Sequence, residues 1–131
     1  MEFKVWQLLG IPFVWGGRDP TTGLDCYGLV KEWYKRVHGI ELEDVETYEG
    51  PFPDADPFAS RQTPGAWQEV TDGFEFGDVL VFGPGNGQEG TVHCGVLLAR
   101  GKVLHTAECH GVIVSPLRLM RKRLIKGYRR V

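Results

Sequence analysis

The sequence predicts an α+β fold, with one amphipathic helix early in the chain and a set of short strands filling the second half. Three observations carry this. From Cys26 the apolar positions Leu29, Val30, Trp33, Tyr34 and Val37 recur at helical spacing, and Gly39 follows as a C′ glycine. Residues 79–82, 92–99, 103–107, 112–115 and 124–130 are apolar, strand-like runs separated by glycine-bearing turns. Helix first and sheet later sets this pattern apart from alternating α/β folds.

Taken in order, residues 2–9 fit a short helix with Phe3, Trp6 and Leu9 on one face, ended by Gly10 and Pro12. Next comes an aromatic stretch, Phe13-Val14-Trp15, breaking into a turn at Gly16-Gly17-Arg18-Asp19-Pro20. Residues 44–65 are acidic and carry Pro51, Pro53, Pro57 and Pro64, which suits a surface excursion with a short helix at 58–62. No repeat or linker divides the chain, so residues 1–131 are expected to form one domain.

The hairpin at Arg100-Gly101 allows its register to be worked out. A loop Ala99-Arg100-Gly101, with Gly101 left-handed, pairs Leu98 with Lys102, Gly95 with His105 and His93 with Ala107. His93 and His105 then become diagonal neighbours on one face, roughly 7–8 Å apart at the backbone. A loop one residue shorter would put them on opposite faces.

The bulk numbers narrow the classes. The chain has 131 residues, 42% hydrophobic and 24% charged, enough for a core without staples. A net charge of −2 argues against a nucleic-acid partner. Acidic residues gather at 41–56 and basic ones at 118–130, which reads first as two solvated surfaces. Three cysteines without a CxxC disfavour a disulfide framework and favour a reducing compartment or a free functional thiol. The start Met1-Glu2-Phe3-Lys4 has no secretory pattern, and no apolar run is long enough to insert in a membrane. The chain is therefore expected to be made in the cytoplasm.

Cys26 stands at a helix start, where the backbone dipole and unpaired N–H groups favour thiolate. With His93 as base and His105 orienting it, the set has the logic of a cysteine-based triad. Each residue also has a plain reading, a cysteine as a small core hydrophobe and a histidine as a structural strand residue. Cys94, next to His93, should face the other way into the core, and Cys109 beside His110 suits an exposed thiol. Cys94, His105, Cys109 and His110 form only one close cluster, short of a zinc module. Gly85-Asn86-Gly87-Gln88-Glu89-Gly90 matches GxGxxG but leads into a strand, so it lacks the helix N-terminus of a dinucleotide site. The loop at 83–90 would instead bound a cleft beside His93.

Several segments together resemble the NlpC/P60 cysteine peptidase domain. They are Pro12-Phe13-Val14-Trp15-Gly16-Gly17, Leu24-Asp25-Cys26-Tyr27-Gly28-Leu29-Val30, Gly77-Asp78-Val79-Leu80-Val81-Phe82, His93-Cys94-Gly95-Val96 and Leu104-His105. The resemblance implies a minimal papain-like fold, with the nucleophile's helix packed on a small antiparallel sheet. It implies a peptidoglycan endopeptidase cutting the stem peptide between D-γ-glutamate and the diamino acid, with no cofactor and no metal. Cys26 would be the nucleophile, His93 the base and His105 its orienting residue. Asp25 would help hold the substrate's amine, and Phe13, Trp15 and Tyr27 would lie at the substrate-binding end.

Two positions depart from the family pattern. Phe13 stands where Tyr is usual and Tyr27 where Ser is usual, so the Tyr27 hydroxyl is expected to replace the one lost at Phe13. The Asp-Cys-Tyr-Gly variant, with no signal peptide or wall-binding module, resembles members carried in phage tails and gene-transfer particles. Such a chain would be assembled into a particle with other tail-tip proteins. The rival expectation is a tail-assembly protein that keeps the fold and has lost cleavage.

Overall fold

The computed structural model describes residues 5–43, 65–83 and 93–131. In chain order the elements are β1 (Arg18–Asp19), β2 (Gly23–Leu24), α1 (Cys26–His38), β3 (Trp67–Val70), β4 (Val79–Phe82), β5 (His93–Leu97), β6 (Lys102–Ala107), β7 (Gly111–Pro116) and β8 (Leu124–Arg130). The last six strands form one sheet in the order β3-β8-β4-β5-β6-β7, antiparallel at every pairing. The helix lies on one face of that sheet, which is the expected α+β arrangement.

The helix forms where its sequence says it should. Asp25 caps it with an extended backbone and accepts the Gly28 N–H at 2.7 Å, a contact worth about 1 kcal/mol. At the other end Gly39 is left-handed at φ 66°, and its N–H returns to the Lys35 carbonyl. Lys35, Arg36 and His38 in the last turn complement the dipole. Leu29, Val30 and Trp33 are fully buried, and each contributes roughly 1.5–3 kcal/mol by leaving water.

Strand parity divides the core in two. Val79, Val81, Cys94, Val96 and Leu104 pack under α1, whereas Leu80, Phe82, Leu97 and Val103 pack on the opposite face with Leu117 and Met120. The β5–β6 hairpin has the expected register, with Val96 opposite Leu104 and Leu97 opposite Val103. Its loop holds Gly101 at φ 68°, as expected, and also Arg100 at φ 62°.

Three expectations need correction or cannot be placed. The N-terminal helix is only a short 3-10 turn, Val5–Gln7, within the described residues. It buries Leu8 and leaves Trp6 and Leu9 exposed, because the chain turns at Gly10 to bond the edge of β7 through Val112. β3 is a strand just after the excursion, where no element was expected, held by antiparallel pairing along β8. The expected helix at 58–62, most of the acidic excursion, and residues 84–90 of the glycine-rich loop lie outside the described residues.

Candidate active site

Segment 10–24 carries the chain from the β7 edge to the start of α1. Phe13 bridges to Leu24, and the Leu24 N–H donates to the Pro12 carbonyl at 3.0 Å. The turn is clamped to the helix by Asp25, whose carboxylate accepts the Gly16 N–H at 3.1 Å and the Arg18 guanidinium at 2.6 Å. Gly28 is required by this clamp, since a Cβ there would collide with the Gly17 carbonyl oxygen. The Asp-Cys-x-Gly spacing thus seats the helix start against the turn and places Cys26 beside Phe13 and Trp15.

Sequence-expected residues meet in one cleft of about 250 Å³, lined by Phe13, Trp15, Cys26, His93 and His105. Phe13 and Trp15 stand edge to face, with centroids 4.7 Å apart. His93 faces Cys26 across this cleft. His93 Nε2 lies 2.9 Å from His105 Nδ1, and His105 Nε2 lies 2.8 Å from Ser115 Oγ. The order is therefore Cys26, His93, His105, Ser115.

The β5–β6 ladder is paired at Val96–Leu104 and Leu97–Val103, leaving His93 and His105 to meet beyond it. Gly95 makes that meeting possible. A Cβ on it would fall 2.8 Å from the Leu104 carbonyl oxygen and 3.1 Å from His105 Cβ.

The electrostatics suit a thiolate–imidazolium pair. The Cys26 pKa falls from 9.0 to about 5, chiefly through a hydrogen bond from the Cys94 thiol; burial opposes this, and the His93 hydrogen bond and charge assist it. His105 is pushed down to about 4 by burial, with the positive charges of His93 and Arg123 adding to it. A neutral His105 can accept a proton from a charged His93 only at Nδ1, so its own N–H sits on Nε2 and donates to Ser115. Ser115 accepts from that Nε2–H and so satisfies and orients the ring in this tautomer.

Asp25 and Tyr27 are not brought into the cleft. Asp25 is only 4% exposed, and both its carboxylate oxygens serve the cap and the turn. Tyr27 is fully buried, and its hydroxyl donates to the Glu43 carbonyl. The side chain therefore points into the core under α1 and not toward Phe13.

Sequence reasoning missed Ser115, Thr106 and Arg123, and missed the role of Cys94. Cys94 does point into the α1-side core, as its parity required, but there it meets Cys26. Ser115 was within reach of the same register arithmetic, because β6 and β7 pair with Ala107 opposite Gly111 and His105 opposite Ile113. Thr106 and Arg123 line the cleft without a motif of their own. Cys109 is exposed as expected, and no group of three metal-ligating side chains is gathered among the described residues.

The geometry has counterparts among known proteins. Murein DD-endopeptidase MepH of Escherichia coli is 31% identical over 79% of this chain and 34% of its own length. The bifunctional muramidase/DL-endopeptidase CwlT of Bacillus subtilis is 27% identical over 83% of this chain and 29% of its own length. The chain thus spans about a third of these relatives.

Among solved structures, the NlpC/p60 domain of peptidoglycan hydrolase SagA superposes with a TM-score of 0.67 at 25% identity, covering 95% of this chain and 92% of that domain. RipD of Mycobacterium tuberculosis, described as a non-catalytic NlpC/p60 domain protein, shares the fold with a TM-score of 0.61 at 24% identity, covering 96% of this chain and 90% of that one. The sequence model of the NlpC/P60 family matches residues 10–129. With nearly the whole chain matched and the cysteine and the two histidines in one cleft, this protein belongs to the NlpC/P60 family.

Proposed function

We propose that this chain is a cysteine endopeptidase that cleaves peptidoglycan stem peptides at the D-γ-glutamyl–diamino acid bond. The observation that carries the reading is Cys26 at the head of α1 sharing a cleft with His93, which is itself hydrogen-bonded through His105 to Ser115. The relatives support the substrate class. They include a DD-endopeptidase, a DL-endopeptidase and a gamma-DL-glutamyl hydrolase, two of which point to the bond chosen here.

In the proposed reaction the Cys26 thiolate attacks the scissile carbonyl carbon, forming an S–C bond and moving the carbonyl π pair onto oxygen. The oxyanion is met by the Cys26 backbone N–H at the helix start. Collapse breaks the C–N bond, and His93 gives its proton to the departing amine. A water, deprotonated by the now neutral His93, attacks the thioester and releases the acid and the thiol. Phe13 and Trp15 form an apolar wall for the peptide, while Asp25 acts by holding the helix start in place. We also propose that the chain works as part of a phage-tail or phage-like particle, a reading supported by its resemblance to such members at Asp25-Cys26-Tyr27-Gly28.

The test is to incubate the protein and Cys26→Ala with soluble muropeptides and to follow products by mass spectrometry. Scission between D-glutamate and the diamino acid, absent in the variant, is expected. Intact muropeptides with slow Cys26 alkylation would transfer the assignment to a non-cleaving particle protein.

A further inference from the structure

Thr106 follows His105 on β6 and therefore turns to the other face, the one that carries Leu104 against α1. It is 0% exposed, and its Oγ1 has no hydrogen-bond partner among the described residues. Yet it lines the same cleft as Cys26. Extending the β5–β6 register places it opposite Cys94, whose thiol bonds the nucleophile. A buried hydroxyl left unpaired forfeits the hydrogen bonds it had in water, so nearly all such groups in folded proteins find a partner. Phe13 and Ala107 on the cleft wall have no polar side-chain atom to offer.

We propose that the Thr106 hydroxyl is the side-chain donor of the oxyanion hole, acting with the backbone N–H of Cys26. When the Cys26 sulfur bonds to an acyl carbon, the carbonyl pair moves to oxygen, and the Thr106 O–H donates to that oxygen. When the pair returns and the leaving group departs, the hydroxyl is released unchanged. Thr106 is in this sense a catalytic residue that Phe13, lacking a hydroxyl, cannot replace. The inference rests on Cys26 being the acyl-transfer nucleophile proposed above, and not on peptidoglycan being the substrate.

Two reagents separate this role from packing. p-Nitrophenyl acetate acylates Cys26 through a tetrahedral oxyanion and releases p-nitrophenolate. Iodoacetamide alkylates the same sulfur by displacing iodide, with no oxyanion. Both are read at Cys26 by mass spectrometry, because Cys109 is an exposed thiol that would react as well. Thr106→Val keeps the shape and loses the hydroxyl; its acylation rate is expected to fall about 100-fold while alkylation is unchanged. Thr106→Ser should restore most of the acylation. Equal rates in Thr106→Val and the parent, or an equal fall in both reactions, would overturn the proposal. A selective loss of acylation in a protein that leaves muropeptides intact would keep Thr106 in its role and remove only the endopeptidase reading.

Discussion

The two ends of the β5–β6 hairpin are built from the same strands and held by different forces. At the loop end the strands are joined by main-chain pairing, with Val96 opposite Leu104, Leu97 opposite Val103, and the Leu98 N–H on the Lys102 carbonyl at 2.7 Å. At the far end the contact is between side chains, His93 to His105 at 2.9 Å. Main-chain pairing fixes register but fills the space between strands. Where it stops, imidazoles can span the gap and still reach a thiol. The loop end sets which residues face each other, and the open end uses that alignment for chemistry.

The comparison can be broken most severely at the open end. His105→Ala removes the partner of His93 and is expected to lower turnover of a cleaved stem peptide by about 100-fold, with the hairpin register retained in chemical-shift or crystallographic data. Ser115→Ala leaves His105 in place but removes the acceptor that orients its ring through Nε2. Turnover should fall about tenfold, while Ser115→Thr retains most of it.

A pH series sharpens the same point. With Cys26 lowered to about 5, thiolate is already dominant at neutral pH, so its alkylation rate should be flat above pH 6 and fall as pH drops through 5. Cys94→Ala removes the donor that lowers it most and should move that inflection upward by about one unit. An inflection that stays put would assign the thiolate's stabilisation to His93 alone.

The smallest effect belongs to the loop end. Arg100 holds a left-handed backbone at φ 62°, which costs a side-chain-bearing residue more than it costs glycine. Arg100→Gly should therefore stabilise the protein by about 0.5 kcal/mol in thermal unfolding, with alkylation of Cys26 unaltered.

Much of this contrast could be read from residue order, because it is local. The helix follows from its apolar spacing between Asp25 and Gly39, and β4 and β8 have the expected bounds. The hairpin register follows from loop length, and the meeting of His93 with His105 follows from the register. Non-local features were not legible. β3 pairs with β8 across nearly half the chain, and its mostly half-buried or exposed residues give weak alternation. Tyr27 was expected at the substrate-binding end from the family resemblance, but adjacent residues on a helix point about 100° apart, and its hydroxyl found the Glu43 carbonyl. Nothing in the order of residues announced Cys94 as a donor to Cys26.

The close approach of Gly28 to the Gly17 carbonyl also has a consequence for mutational tolerance. A full library of single substitutions should find positions 17 and 28 nearly closed to change, although neither side of that contact takes part in bond breaking. Position 27 sits between the nucleophile and Gly28 yet faces the interior, so other large apolar residues should survive there. Tolerance around this cysteine is set by backbone crowding and burial more than by distance along the chain.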